Sequence, residues 1–161
     1  MVPSTSRSII TTSYYNQNNN SYVASSGRGY TRDDRIKPDL TTGGINVKTT
    51  KVGGGETIVS GSSAATAVLA GACALLFQWG VVEGKDPTIY APKMKTYLIR
   101  GTKKRPGDKY PNPEFGYGML SLQGLFENIR SIYFEDTNKV QNKDFIESKL
   151  GDLFIRMPLN K

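Results

Sequence analysis

The sequence predicts an α/β fold, in which a sheet packs against helices. Residues 6–15 are rich in β-branched and aromatic side chains, which favours a strand. No charged residue occurs between Thr57 and Val82, and this alanine-rich segment predicts a buried helix. Residues 86–102 repeat apolar side chains at the spacing of an amphipathic helix. Because strands and helices mix along the chain, we expect them to share one layered core.

Short strands and polar loops are expected in the first part of the chain. The strand at residues 6–15 is followed by an asparagine-rich loop and then by a loop with two glycines. Pro38 is disfavoured inside a sheet, so the segment around it is predicted to be a short extended stretch that turns at Gly43 and Gly44. A glycine triplet then precedes a short strand at residues 56–60.

The uncharged segment predicts the long helix of the fold. The helix should begin near Ser62 or Ser63, because serine is a preferred N-cap, and should stop before Gly80. Since it is apolar all round, we expect it to be buried on all sides. Its length approaches that of a membrane span, but its small residues and Gln78 favour a core helix, and no membrane span is predicted. Cys73, the single cysteine, is interpreted as a small core residue.

Two further helices and a last strand complete the predicted order. The second helix covers residues 86–102, with Thr88 as its cap and Gly101 at its end. The third covers residues 120–134, and a final strand is expected at residues 151–158.

Charge and composition exclude several classes of function. The net charge is +7 and the isoelectric point is about 9.5, but the basic residues are scattered. The densest run, at residues 100–105, is interpreted as a solvated turn after a helix, so no nucleic-acid partner is expected. One cysteine and no histidine exclude the usual zinc sites. No cofactor is predicted, although a calcium site built from carbonyl and carboxylate oxygens stays open.

The two serines at the start of the long helix raise a chemical question. Backbone N–H groups at a helix N-terminus can hold a developing oxyanion, which makes Ser63 a candidate nucleophile. The simpler alternative is that these serines cap the helix, and the two interpretations combine if Ser62 caps while Ser63 reacts. The chain has no histidine to take the serine proton, and neither Lys48 nor Lys51 is placed by the sequence to replace it.

The segment "SGSSAATAVLAGACALL" resembles the nucleophile motif of subtilisin-like serine proteases, peptidase family S8, written S-G-T-S-x-A-x-P-x-x-A-G. The matching residues are Ser60, Gly61, Ser63, Ala65, Ala70 and Gly71. Upstream, "SSGRGYTRDDRIKPDLTTGG" is similar to the family segment that ends in K-P-D-x-x-A-P-G, and "FGYGMLSLQGLF" is similar to the closing segment. The matches occur in the family order, and the wider likeness is to subtilases of spore-forming anaerobes, the Csp-type germination proteases and their relatives.

The resemblance implies a mostly parallel sheet and a central buried helix that starts at the reactive serine. Ser63 corresponds to that serine, and Ser62 and Gly61 lie on its oxyanion and substrate-binding side. The catalytic aspartate, histidine and oxyanion asparagine of the family precede this region, so an upstream segment is expected to supply them and the chain alone should be inactive. Residues 1–130 would then be the C-terminal part of a catalytic domain, and residues 131–161 a C-terminal extension.

Two departures from the family pattern are visible. Ala67 stands at the motif proline, and Thr42-Gly43-Gly44 replaces the A-P-G turn. The alternatives are therefore a pseudoprotease, or a non-catalytic binding module with a protease-like core. A sedolisin-like peptidase, which uses a glutamate base, is disfavoured by the "RIKPD" segment. The expected partners are a polypeptide substrate and the upstream half of the domain, and the expected location is extracellular or spore-associated.

Overall fold

A computed structural model describes residues 4–132 of the chain. Its main sheet has three strands in the order β2-β1-β3, where β1 is Thr12–Asn16, β2 is Ser21–Tyr22 and β3 is Leu40–Gly43. Strands β1 and β3 are parallel, with Thr12 opposite Leu40, whereas β2 runs antiparallel to β1. The first strand is thus shorter than the predicted residues 6–15, because pairing with β3 begins only at Thr12.

A separate antiparallel hairpin leads into the long helix. Its strands are β4, Val47–Thr50, and β5, Glu56–Val59, with Val47 opposite Val59. The glycine triplet 53–55 forms the turn, and all three glycines have positive φ angles, which glycine alone adopts at little cost. Strand β5 agrees with the predicted strand at residues 56–60. Strand β4 was not predicted, because its lysine and threonines are exposed and give no apolar alternation.

The long helix α1 spans Ser62–Phe77 and continues as one π-helical turn, Gln78–Val82. The chain therefore does not leave the helix before Gly80, as the sequence suggested. Gly80 instead lies at a close contact, since a Cβ atom there would be 2.4 Å from Ile89 Cδ1. This glycine allows the loop after the helix to pack back against the last turn.

Most buried residues of helix α1 lie along one stripe. That stripe faces β1 and β3, and its members are Ala65, Leu69, Ala72 and Leu76, while Ala64 in the first turn is buried beside it. On other faces the exposed fraction reaches 48% for Leu75 and 71% for Val82. The prediction that the helix is buried on all sides is therefore wrong for the described structure. A helix that is apolar on every face can be buried on every face, but burial also requires a packing partner. Among the described residues, the sheet contacts one stripe of the helix.

Helix α2, Ala91–Arg100, is anchored by a buried carboxylate rather than by the predicted cap. Tyr90 stands at its N-cap position without a side-chain capping bond, so the prediction that Thr88 caps the helix is wrong. The Thr88 hydroxyl donates to Asp86 Oδ1 at 2.9 Å instead. Asp86 also accepts from Lys93 Nζ at 2.6 Å and from the Tyr97 hydroxyl at 2.7 Å. A charged carboxylate forms stronger hydrogen bonds than a neutral group does, which explains why the hydroxyl of Thr88 bonds to Asp86 and does not cap the helix.

A second buried carboxylate ties the start of β3 to two other elements. Asp39 is fully buried, and its Oδ2 lies 2.7 Å from Lys37 Nζ and accepts from Thr11 N at 2.7 Å. Its Oδ1 forms an ion pair with Lys95 of α2. Lys37 also donates to the carbonyl of Ile9 at 2.8 Å. The residues before β1, the start of β3 and helix α2 therefore meet at one buried charged centre around Asp39.

The last described element is helix α3 at residues 122–132. The chain divides into compact units at Met1–Leu125 and Phe126–Lys161, and the strands, α1 and α2 all belong to the first unit. The predicted strand at residues 151–158 lies outside the described residues, and the predicted domain boundary after residue 130 stays a prediction.

Candidate active site

A sharp turn joins β5 to α1 and carries the candidate nucleophile. Gly61 occupies the N-cap position of α1 with φ 127° and ψ −178°, a backbone region that only glycine adopts readily. A Cβ atom at this position would meet nothing within 4 Å. Gly61 is therefore required because of its backbone angles, since there is enough space for a side chain at this position.

Neither serine caps the helix. Ser62 and Ser63 are the first two residues of α1, both are exposed, and no side-chain cap bond is formed. Among residues 4–132, no hydrogen-bond partner is found for either hydroxyl. The capping prediction is therefore wrong for Ser62 and for Ser63, because Gly61 already holds the cap position. The hydroxyl of Ser63 is left unengaged by the described residues at the start of a long helix.

The main chain around the serines is held by the end of β3 and by the residues that follow it. Gly61 N donates to the carbonyl of Gly44 at 2.7 Å. On the other side of the serines, Thr42 Oγ1 donates to the carbonyl of Ala65 at 2.9 Å. Ser60 Oγ accepts from the backbone N–H of Asn46 at 2.8 Å. The strand-to-helix turn is thus fixed from the residue before Ser62 to the second residue after Ser63.

Gly44 can play this part because it lies very close to β1. A Cβ atom on Gly44 would be 2.7 Å from Tyr14 Cβ. This close approach brings the carbonyl of Gly44 within reach of Gly61 N, and it explains the glycine in a turn that otherwise departs from the family pattern.

The first turn of α1 can stabilise negative charge. The first intrahelical bond runs from Ala65 N to the carbonyl of Gly61 at 3.2 Å. An α-helix leaves the N–H groups before this bond without intrahelical partners, and the helix dipole adds a positive potential there. An oxyanion that forms beside Ser63 would meet these donors.

An open cleft of about 640 Å³ adjoins the start of the helix. Ser62, Thr66 and Leu69 line one wall, and these residues share one face of α1 because they are spaced by four and three positions. The opposite walls come from residues 4–13 and 26–38. Ser62 thus borders the cleft, while Ser63 lies one position further round the helix.

No general base for Ser63 is assembled within residues 4–132. The chain has no histidine, and Lys48 pairs with Glu56 at 3.3 Å on the exposed hairpin. The described residues also contain no group of three or more histidine, cysteine or acidic side chains that could hold a metal ion. The described residues thus present an unengaged serine hydroxyl beside helical N–H groups, and they place no proton acceptor next to that hydroxyl.

Cys73 is not a competing nucleophile. It is a free cysteine, half-buried in the middle of α1, and burial raises the pKa of its thiol. A raised pKa lowers the fraction of reactive thiolate at neutral pH.

A model of the subtilase family, Peptidase_S8, matches residues 1–118. The chain belongs to the subtilase family. Its fold is similar to that of the CspB protease of Clostridium perfringens, with a TM-score of 0.75 and 41% sequence identity over 78% of this chain and 27% of that chain. The expected likeness to the proteases of spore-forming anaerobes is thereby confirmed, as is the mixed α/β fold class.

Two other relatives are more distant. The human membrane-bound transcription factor site-1 protease is 34% identical over 97 residues, which are 60% of this chain and 9% of that protein. The patellamide maturation protease PatA shares the fold with a TM-score of 0.63 at 22% identity, over 81% of this chain and 46% of that chain. The chain thus spans about a quarter of CspB, 27%, and a smaller share of the human relative.

Residues 62–82 form a helix that is long and apolar enough to cross a membrane, judged by length and composition alone. The core helix of a soluble protein has the same length and composition, and this segment lies inside the region that the subtilase family model matches. A single helix of this kind therefore remains weak support for a membrane span.

Sequence reasoning missed two features of the site. It assigned the cap to a serine, although the glycine before the two serines was the available signal for a cap in an unusual backbone conformation. It also passed over Thr42, whose hydrogen bond to Ala65 joins residues far apart in the chain.

Proposed function

We propose that this chain contributes the nucleophilic serine of a serine endopeptidase, and that this serine is Ser63. The observation that supports this assignment is an exposed hydroxyl, unengaged by the described residues, in the first turn of a helix that β3 and the residues after it hold on both sides of the serine. The position agrees with the family motif, in which the reactive serine begins the long helix.

In this proposal Ser63 Oγ attacks the carbonyl carbon of a peptide bond. The hydroxyl proton passes to a base, the carbonyl oxygen becomes an oxyanion, and N–H groups of the first helical turn after Gly61, whose own N–H is bound to the carbonyl of Gly44, stabilise it. The amine then leaves with that proton and an acyl-enzyme remains. Water hydrolyses the acyl-enzyme with the help of the same base. The substrate class is a polypeptide.

The base and its orienting carboxylate come, in this proposal, from a further segment of the same catalytic domain. Three observations support it. Residues 4–132 assemble no base, the chain spans 27% of CspB, and α1 exposes apolar side chains while its first residue, Ser62, lines an open cleft. A further segment that covers the helix and this cleft would bring new side chains to the start of α1. Without it, the chain alone would be inactive.

A serine-directed fluorophosphonate probe tests the assignment in the protein expressed from its complete reading frame. We expect covalent labelling, which peptide mapping by mass spectrometry would place on Ser63, and we expect Ser63→Ala to abolish it. Ser62→Ala should still be labelled, because Ser62 is not the proposed nucleophile. We expect its labelling to be slower, because Ser62 lies on the oxyanion side of the site. Labelling of Ser63→Ala at the wild-type rate would refute the assignment.

A pseudoprotease is the second candidate function. It is favoured by the two departures from the family pattern, at Ala67 and at the turn of residues 42–44. A complete protein that melts cooperatively and resists the probe at high concentration would support this alternative over the enzyme.

We further propose that the site works without a cofactor and that the protein acts outside the cytoplasm, in an extracellular or spore-associated setting. The likeness to CspB of Clostridium perfringens supports the location. Activity that survives a chelator would support the first point, and a loss reversed by calcium would point to a structural calcium site.

A further inference from the structure

We propose that Thr42 is a positioning residue for Ser63, acting through its hydrogen bond to the first turns of α1. This inference rests on the proposed function, in which Ser63 is the nucleophile. It concerns a strand residue that does not itself touch a substrate.

The hydrogen bond has a defined direction. Thr42 is 1% exposed, and its Oγ1 lies 2.9 Å from the carbonyl oxygen of Ala65. Because a carbonyl only accepts, the single hydroxyl proton of Thr42 points at the helix. The Oγ1 atom of Thr12, on the neighbouring strand β1, lies 3.2 Å from Thr42 Oγ1, but Thr12 donates its own hydroxyl proton to the carbonyl of Ser13 at 2.7 Å. The bond to Ala65 is therefore the one that uses the hydroxyl proton of Thr42.

The location of this bond is what matters for Ser63. Ala65 is two residues after the serine, and Gly61, two residues before it, is held by the carbonyl of Gly44 at 2.7 Å. Both anchors belong to the same stretch of chain, at the end of β3. Since the described residues give the hydroxyl of Ser63 no hydrogen bond, its placement depends on the main chain between these two anchors.

Loss of the Thr42 anchor would leave the turn held at the glycine side alone. Ala65 keeps its place in the helix, so the fold should survive, but the first turn gains freedom to shift. A displacement of about 1 Å at a reacting atom can cost on the order of a hundredfold in rate. We therefore expect an effect on the chemical step that exceeds the effect on stability.

The neighbouring residue provides a matched control. Thr41 is also fully buried on β3, but side chains alternate between the two faces of a strand, so it points away from Thr42. Its Oγ1 has no hydrogen-bond partner among the described residues. Thr41→Val removes a buried hydroxyl without removing a bond, whereas Thr42→Val removes a hydroxyl that bonds the helix.

The kinetic experiment uses the complete protein. We expect Thr42→Val to lower the rate of fluorophosphonate labelling, and kcat on a peptide substrate, by about tenfold or more, with little change in KM. Thr41→Val should stay near the wild-type rate, and Thr42→Ser, which keeps the donor, should recover most of it. Equal rates for Thr42→Val and Thr41→Val would overturn the proposal while leaving Ser63 as the nucleophile. Labelling that persists in Ser63→Ala would instead overturn the function.

A second measurement decides the inference independently of activity. Amide hydrogen exchange of the peptide covering residues 61–67 should become faster in Thr42→Val, and not in Thr41→Val or Thr42→Ser. If the valine variant does not fold, Thr42→Ala gives the same comparison. Unchanged exchange in a folded variant that lacks the hydroxyl would show that Thr42 does not hold the serine.

Discussion

At the scale of single residues, the structure shows two different reasons why a position requires glycine: its backbone angles, or the lack of space for a Cβ atom. Gly61 is needed for its backbone angles, since an added Cβ would meet nothing within 4 Å. Gly44 is needed for space, since a Cβ would be 2.7 Å from Tyr14 Cβ. The hydrogen bond from Gly61 N to the carbonyl of Gly44 joins these two positions, so the start of α1 contacts the residue after β3 although the hairpin of β4 and β5 lies between them in the chain.

A prediction at this scale concerns Asp86. Burial disfavours its charged form, but hydrogen bonds from Lys93, Tyr97 and Thr88 outweigh burial and hold the pKa of Asp86 below its ordinary value. The pKa in the folded state is then lower than in the unfolded state. The stabilisation is fully present above the unfolded-state pKa, roughly pH 4, and is lost as the pH falls through the folded-state pKa. Urea unfolding measured as a function of pH should show this loss.

The matching variants are Asp86→Asn and Asp33→Asn. The first leaves the ammonium of Lys93 without its buried partner and should cost about 2 kcal/mol at pH 7, with a flatter dependence of stability on pH. Asp33 pairs with Arg35 at 2.7 Å, but its side chain is 57% exposed, so its replacement should have little effect. Equal losses for both variants would contradict the assigned role of Asp86.

At the scale of elements, Gly101 at the end of α2 and Gly124 in α3 lie in close contact. A Cβ atom on Gly101, at the end of α2, would lie 2.4 Å from Leu125 Cα, and a Cβ on Gly124 would lie 2.6 Å from the carbonyl oxygen of Gly101. The φ angle of Gly101 is −81°, which any residue adopts. The sequence indicated Gly101 as a helix end, but its close contact with Gly124 and Leu125 is a tertiary contact that local sequence does not encode.

A prediction at this scale follows from that contact. Gly101→Ala should destabilise the domain by about 3 kcal/mol, because backbone atoms of the neighbouring helix must move to admit a methyl group. Gly27→Ala is the control, since a Cβ added at Gly27 would meet nothing within 4 Å and its φ angle is not positive. Thermal unfolding of the two variants gives the comparison, and a shift in Tm of the same size in both would contradict the crowding.

At the scale of the whole molecule, the exposed side of α1 is the main feature. Val68, Leu75 and Val82 lie at intervals of seven residues, about two helical turns, and are all exposed. No charged residue occurs between Thr57 and Val82 to solvate such a surface. A continuous apolar side of this kind is typical of a surface that another part of a protein covers.

The corresponding prediction is that the isolated chain self-associates. Sedimentation velocity at micromolar concentration should detect oligomers, and the double replacement Leu75→Gln and Val82→Gln should shift them towards monomer. Val52→Gln is the control, because Val52 is 99% exposed at the hairpin turn, away from the helix. A wild-type chain that is monomeric and melts cooperatively would contradict the prediction.

The same double replacement should have the opposite consequence in the complete protein. If a further segment covers this side of α1, two buried glutamines would destabilise the domain and reduce labelling of Ser63. An unaffected complete protein would mean that the side stays exposed.

The elements of this protein follow in large part from the sequence alone. Periodicity and motif spacing are local properties of a sequence. They therefore predicted the class of fold, the strand before the two serines, the long uncharged helix and the likeness to subtilisin-like proteases. The cap at Gly61, the burial of α1 and the hydrogen bond from Thr42 to Ala65 were not predicted. These features depend on which elements pack together in the folded chain. Contacts between residues far apart in the chain produce no periodic pattern in the sequence. The sequence therefore determined where the proposed nucleophile, Ser63, lies, and the tertiary structure decided which contacts hold the main chain around it.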